Sequence, residues 1–271
     1  IKRVIVAMED PNPLVKGKGI AFLKNNNIEV ISDVLAAQAK ELNLGFNYRM
    51  TLNRPYIRSK IATSLDGRTS LMNGDSQWIT SEDSRNDVQI WREKSCAILT
   101  GIRTINHDNP ELTVRNLSPE KQPLRVILDS HLSIKLNSKI LQQKNILLVY
   151  GDDPQQKLLS LNGLGVQSIC LPLDNNRIDL IKLMAHLALL EINDLWVEAG
   201  PSLNGSLLEN KLIDELIIYM APILLAGNAN PMFNHPILQS MQNKIHLTLQ
   251  EVRHIGSDLR IQSRVIKDHV D

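Results

Sequence analysis

Residues 195–208 read LWVEAGPSLNGSLL, and the character of the chain changes three times within them. Leu195, Trp196 and Val197 form a short apolar run of strand type. Gly200-Pro201 stops it, and helical spacing resumes at Ser206 with Leu207, Leu208, Leu212, Ile213 and Leu216. The pattern predicts strand, glycine loop and helix. A helix N-terminus facing the loop offers unpaired backbone N–H groups and the positive end of its dipole, which suits phosphate. Gly200 and Gly205 are where a ligand is expected to approach the backbone. Glu198 adds a carboxylate at the strand's end, where open α/β sheets place ligand-contacting groups. The plain alternative is an ordinary strand-to-helix connection, which glycine and proline make in many α/β sheets.

Other loop chemistries are tested on the same letters. The G-x-x-x-x-G spacing of Gly200 and Gly205 matches the front of a P-loop, but Ser206 stands where that motif needs lysine, so phosphoryl transfer lacks its main cation. No G-x-G-x-x-G occurs, which removes the Rossmann fingerprint. Gly200-Pro201-Ser202 lacks the second glycine of a G-x-S-x-G nucleophile turn. The seven histidines show no H-x-E, H-x3-H or H-E-x-x-H spacing, so no metal is expected in this chain.

A chain of 271 residues, 43% of them hydrophobic, can fill one large core or two modest ones. Thirty basic against 29 acidic residues leave a net charge of +1, which offers no broad field for nucleic acid or an anionic membrane. The expected partner is a small polar molecule. Residues 178–192 are strongly apolar but carry Asp179, Lys182, His186 and Glu191 at helical intervals, so they read as an amphipathic helix and not a membrane span. Cys96 and Cys170 lie in apolar runs and are read as buried thiols, too few for a disulfide framework. With no signal-peptide pattern, the expected location is the cytoplasm.

In chain order, residues 1–7 read as a buried strand without an initiator methionine, so residues are expected upstream. A short helix over 19–24 and a strand over 28–31 imply parallel pairing. Ser32 is expected to cap a helix through Val34, Leu35, Ala39 and Leu42, and 43–53 reads as a connection. A second domain begins near Arg54-Pro55 with a strand over 56–63 and an Asp66-Gly67 turn. Thr80 or Ser81 caps a helix to about Lys94, 97–100 is a strand, and 101–115 is a polar stretch. Strands at 125–128, 146–150, 166–171, 195–197 and 216–222 alternate with helices over 155–161 and 178–192, which means an α/β sheet. Two final strands within 245–265, joined at Gly256-Ser257, form an antiparallel edge, so the sheet is mixed. Polar groups gather after strands: Lys60 in the first strand of the second domain, Ser76 and Trp78, Asp108 and Arg115, Asp129-Ser130, and Glu198. Strand-end loops of this kind converge in one cleft.

These stretches resemble the reductase half of the bifunctional deaminase/reductase family of bacterial riboflavin biosynthesis. The resemblance is carried by RPYIRSKIATSLDGRTS from 54, GDSQWITS from 74, AILTGIRTINHDNPELTVR from 97, RVILDS from 125, the opening stretch, and IDELIIYMAP from 213. Residues 1–50, beginning IKRVIVAMEDPNPLVKGKGIAFL, resemble the tail of the family's cytidine-deaminase-like domain. The resemblance implies that residues 54–271 form a dihydrofolate-reductase-like α/β sandwich with a mixed sheet, preceded by a partial deaminase-like α/β unit. It implies a zinc-dependent deaminase only in the full-length protein, its zinc-binding segments lying before Ile1.

The resemblance also implies an NADPH-dependent oxidoreductase that converts the ribosyl group of 5-amino-6-(5-phosphoribosylamino)uracil to ribityl. Ala62, Trp78, Thr104, Asp108, Ser130 and the loop Gly200, Pro201, Ser202, Leu203, Asn204, Gly205 and Ser206 look like the NADPH contacts. Ser76, Arg92, Leu112, Arg115 and Glu198 look like the substrate contacts. Candidates for managing the proton are Glu198, Asp108 and Lys60. The family often has Asp-Asp-Pro where this chain has Asp108-Asn109-Pro110, which puts a supporting role of the second acid in doubt. The expected assembly is a homodimer. Two alternatives stay open: a reductase of the undeaminated diaminopyrimidine, and a nucleotide-binding scaffold without turnover.

Overall fold

The computed structural model describes residues 1–234, 236 and 238–267. The chain divides into two compact units, one of Ile1–Tyr56 with Met184–Asn193, the other of Ile57–Leu183 with Asp194–Asp271.

The first unit contains β1 (Arg3–Ile5), α1 (Lys18–Asn25), β2 (Glu29–Ile31), α2 (Ala36–Leu42) and α3 (Leu44–Leu52). β1 and β2 pair in parallel, as expected. The buried first strand is not found: Ile5 is 61% exposed and Ile1 98%, because a two-stranded sheet has too few neighbours to cover its faces. Ser32 caps nothing, since α2 starts after Leu35, whose φ of 63° breaks the helical path. Nor are residues 43–53 a simple connection. They hold α3, a helix of modest propensity whose Tyr48 packs edge-on to Tyr56 at 5.0 Å with the Arg54 guanidinium 4.9 Å from its ring, so packing overrides propensity.

The second unit is built on β3 (Tyr56–Ser64), β4 (Arg68–Ser70), α4 (Glu82–Lys94), β5 (Ala97–Gly101), α5 (Ile102–Asp108), β6 (Leu124–Leu128), β7 (Ile146–Tyr150) and α6 (Leu158–Gly163). It continues through β8 (Gln167–Cys170), β9 (Leu173–Asp174), β10 (Arg177–Ile178), α7 (Leu180–Leu189), which from Met184 onward is counted in the first unit, β11 (Asp194–Glu198) and α8 (Pro201–Glu209). It closes with β12 (Glu215–Ala221), β13 (Asn230–Pro231), β14 (Leu247–Ile255) and β15 (Asp258–Val265). Nine strands form one sheet in the order β14-β15-β12-β3-β11-β5-β6-β7-β8. β12–β3, β11–β5, β5–β6, β6–β7 and β7–β8 pair in parallel, whereas β12–β15 and β15–β14 are antiparallel. This is the mixed α/β architecture expected from the alternating pattern. Ile98, Ile127, Leu148 and Trp196 fill one face of the sheet, with Val88 of α4 and Ile105 of α5 in the same core.

Three local readings change. Residues 101–115 are not one polar stretch: α5 occupies their first half, so Thr104 and Asp108, four apart, share a helix face. α8 begins at Pro201 and ends at Glu209, and Leu216 belongs to β12. Gly200-Pro201 does stop the strand, but proline's fixed φ and missing N–H favour the first helical position, so the supposed glycine loop is two turns of helix. Cys170 is exposed because β8 is an edge strand, and its Sγ lies 3.3 Å from the Gly151 carbonyl; Cys96 is half-buried.

Candidate active site

A cleft of about 1840 Å³ opens beside the middle of β3 and where β5, β6 and β11 end. That volume exceeds the roughly 300–1,000 Å³ of a site for one drug-sized molecule, so two ligands can lie side by side. Parallel strands explain the location, since their carboxyl ends and following loops all open on one edge of the sheet. Side chains on a strand alternate, so Lys60 and Ala62 of β3 share the face that lines the cleft while Ser59 points to the other.

The chemistry centres on Glu198 and Arg92. Glu198 ends β11 and Arg92 lies in the last turn of α4; their side chains are only 11% and 14% exposed. Arg92 Nε donates to Glu198 Oε1 at 2.5 Å and Nη2 to Oε2 at 3.0 Å, a two-pronged pair, while Nη1 donates to the Thr113 carbonyl at 2.9 Å. Trp196 Nε1 donates a further bond to Glu198 Oε1 at 2.9 Å. Burial alone pushes the Glu198 carboxyl up, but the Arg92 charge and hydrogen bonds, with Lys60 and Trp196, hold it down at about 2. Burial likewise works to lower Arg92, and Glu198 outweighs it, so the guanidinium is held above its ordinary value. Lys60 moves the opposite way. Desolvation lowers its ammonium despite Glu198 and Asp108, and Arg92 adds to the lowering. The cleft therefore holds a permanent carboxylate beside an amine that releases its proton more readily than an ordinary lysine.

The family resemblance implied that Arg92 contacts the substrate. The structure pairs its guanidinium with Glu198 and Thr113, while Arg115 is exposed at the cleft and its side chain has no ion pair among the described residues. Thr104 and Asp108 of α5 also line the cleft, and His107 Nδ1 lies 2.7 Å from Asp108 Oδ1. Asn109, at φ 43°, accepts the Lys139 backbone N–H at 2.9 Å. That bond needs only an oxygen at the side-chain end, so an aspartate there would serve equally, and asparagine tolerates the left-handed backbone well.

Ser76 and Trp78 line the rim; Trp78 is 69% exposed with the Arg85 guanidinium 4.5 Å from its ring. Leu112 is buried in the core, so what it offers the cleft is main chain. Ser130 lines the cleft after β6, and Asp129 holds the following turn, accepting the Ser133 N–H and hydroxyl and the Ile134 N–H.

The α8 segment separates into parts that face the cleft and parts that anchor the helix. Gly200, Pro201, Ser202, Leu203 and Ser206 line the cleft, and nothing lies within 4 Å of where a Gly200 Cβ would stand. Gly205 does not face it. A Cβ there would collide with the Asn234 backbone, so this glycine permits close packing of chain on chain and not ligand approach. Asn204 touches the cleft but is 2% exposed and occupied: it accepts the Ser59 hydroxyl at 3.0 Å and donates to the Ala199 carbonyl at 3.0 Å, which ties α8 to β3.

Two cations here were missed from sequence. Arg103 Nη1 lies 3.3 Å from Ser202 Oγ, and Arg177 Nη1 3.3 Å from Ser206 Oγ, so two guanidinium groups stand over successive turns of α8. Arg103 needed the α5 assignment to be placed. Arg177 follows Asn175-Asn176, whose φ values of 48° and 60° make the two-residue turn between β9 and β10; that Asn-Asn pair was the available signal. Among the described residues, no group of three or more His, Cys, Asp or Glu could hold a metal, and no helix is long and apolar enough to cross a membrane.

Fold and cleft define an α/β enzyme with an ionised, buried carboxylate, a depressed lysine and a cationic helix start suited to a phosphorylated ligand. Comparison with known proteins narrows the class. Residues 55–261 match the family described as the RibD C-terminal domain. The chain is 37% identical over 271 residues to riboflavin biosynthesis protein RibD of Escherichia coli strain K12, covering 96% of this chain and 73% of that protein. A solved structure, Acinetobacter baumannii RibD in its form 1, superposes with a TM-score of 0.87 at 38% identity, covering 98% of this chain and 73% of that one. A shorter relative from Buchnera aphidicola (subspecies Acyrthosiphon pisum), 5-amino-6-(5-phosphoribosylamino)uracil reductase, is 36% identical over 203 residues, 70% of this chain and 97% of its own. The chain belongs to the RibD family and contains its C-terminal reductase domain. Membership in a reductase family implies a nucleotide cofactor.

Proposed function

We propose that this chain reduces the ribosyl group of 5-amino-6-(5-phosphoribosylamino)uracil to ribityl, with NADPH as hydride donor, as one activity of a cytoplasmic, homodimeric deaminase/reductase. In this reading residues 1–50 close a deaminase domain, zinc belongs to the rest of that domain, and residues 54–271 are the reductase. The observation that carries the reading is the convergence of Lys60, Asp108 and the Arg92–Glu198 pair in one cleft of a domain that matches RibD.

The residues fit a phosphorylated dinucleotide. Gly200 leaves open space beside the α8 N-terminus, and Ser202, Ser206, Arg103 and Arg177 supply donors for phosphate oxygens, with Ala62, Thr104 and Ser130 along the same cleft. NADPH, when bound, supplies the hydride. The protein's own part is positioning and proton management. Glu198 stays ionised, and its Oε2, which takes one bond from Arg92, accepts a hydroxyl of the opened sugar. Lys60, its ammonium weakened by burial, gives a proton from Nζ to the ring oxygen as that oxygen's bond to C1 breaks and C1 is freed to accept the hydride. Asp108 orients groups near Lys60, and Arg115 takes the substrate phosphate.

The test is NADPH oxidation by the purified chain with the uracil substrate, run beside NADH and the undeaminated diaminopyrimidine. Oxidation with NADPH and the uracil alone is expected. Preference for the diaminopyrimidine would reverse the order of the two reactions, and tight NADPH binding without oxidation would leave a scaffold.

A further inference from the structure

We propose that Trp196, clamped by the indole of Trp91, is a positioning residue that fixes which oxygen of Glu198 is presented to the substrate. The inference rests on the reading of Glu198 as a substrate contact.

A carboxylate offers about four lone-pair sites, two on each oxygen. Glu198 Oε1 uses both, accepting Arg92 Nε at 2.5 Å and Trp196 Nε1 at 2.9 Å. Oε2 uses one, on Arg92 Nη2 at 3.0 Å. Without the indole bond the two oxygens would carry equal loads, and the carboxylate could present either. With it, Oε2 holds the remaining site.

The indole cannot turn away. Trp196 and Glu198 lie two apart on β11 and so project to the same face, and Trp196 is fully buried. A buried indole N–H needs a partner, and this one has Glu198. Its ring stacks on Trp91 with centroids 5.5 Å apart and planes within 6°. Trp91 immediately precedes Arg92 on α4, so one aromatic contact ties together the two elements that carry the ion pair. Trp91 is held in turn by two guanidinium groups near its ring, Arg58 at 6.0 Å and Arg260 at 5.6 Å. Arg58 is anchored by Asp194 and Glu215, and Arg260 by Asp87 and Glu251.

Trp196→Phe keeps a ring in the stack and removes the N–H together with part of the buried indole. The expected result is a fall in kcat/KM for the substrate of about tenfold, the weight of one hydrogen bond to a charged group, with NADPH affinity unchanged. Ile98→Val, a core change beside Trp196 in the sheet register, supplies a smaller loss of packing at the same place and is expected to leave both constants near wild type. A second readout needs no turnover. The Trp196 indole ¹H–¹⁵N resonance of the full chain is expected to move strongly in Glu198→Gln, while that of exposed Trp78 stays in place. An unmoved Trp196 resonance, or a Trp196→Phe enzyme matching the Ile98→Val control, would overturn the proposal. If the wild-type chain fails to turn over, the functional reading falls, while the resonance still decides the Trp196–Glu198 bond.

Discussion

Replacing Glu198 with glutamine preserves shape and removes charge, and its consequences can be worked from the Arg92 contact. The carboxyl is held from its ordinary 4.5 down to about 2 in the fold, and at about 1.36 kcal/mol per unit this corresponds to roughly 3 kcal/mol of stability. Breaking a buried pair by removing one partner costs about 3–5 kcal/mol, in agreement. In a domain of this size each kcal/mol moves Tm by roughly 2–4 °C, so Glu198→Gln is expected to lower Tm by about 6–12 °C. The sign with pH follows from the depressed value. The stabilisation is fully present above the unfolded value and is lost as pH falls toward about 2, so wild type and variant differ by a constant amount between pH 6 and 8 and converge only in acid. Losing a charge-assisted bond to substrate should lower kcat/KM by about 10- to 100-fold. The Arg92→Met/Glu198→Gln double variant separates the two effects. Removing the orphaned cation should recover most of the lost stability and none of the activity. Thermal melts and steady-state kinetics on the four proteins complete the cycle. Additive stabilities, or a single variant with kcat/KM within twofold of wild type, would refute the reasoning.

Lys60→Met should abolish turnover and raise the melting temperature at pH 7, because it removes a buried ammonium whose proton the fold disfavours; the gain should shrink as pH rises toward the ordinary lysine range, and a lowered melting temperature would contradict the desolvation argument. Gly205→Ala should cost about 1–3 kcal/mol by forcing the Asn234 backbone aside, whereas Gly200→Ala should melt like wild type yet bind NADPH more weakly; denaturant titration and calorimetry distinguish them, and the reverse pattern would place the ligand elsewhere. Arg115→Ala should weaken substrate binding with little effect on NADPH, whereas Arg177→Ala should do the opposite. Fluorescence titration with each ligand decides the pair, and a shared loss would merge the two subsites.

The sheet was legible where period and punctuation agreed. Strands such as residues 97–101 and 146–150 are continuous apolar runs because both faces are covered, and Gly256-Ser257 marked the closing hairpin correctly. Pro201 shows what was not legible: the same residue ends one element or begins another, and only the backbone beyond it decides. α3 was hidden for a related reason, since its packing and not its propensity makes it helical. At the site, Lys60, Asp108 and Glu198 line one cleft, Glu198 from the end of β11, Lys60 from the middle of β3 and Asp108 from the end of α5. The contacts of Arg92, Asn204 and Gly205 were not legible, because what each touches depends on Glu198, Ser59 and Asn234, residues distant in sequence. Arg103 and Arg177 escaped notice because each reaches the site from a short element with little periodicity.

The central claim is that this cleft sets a nicotinamide against the sugar carbon beside Lys60 and Glu198. Its most direct test is deuterium transfer from NADPH labelled at the nicotinamide C4, followed by mass spectrometry and NMR of the product. One deuterium at C1 of a ribityl chain, from one face of the nicotinamide only, is the predicted result. Label at another carbon, label washed into solvent, or an unreduced ribosyl group would contradict the account.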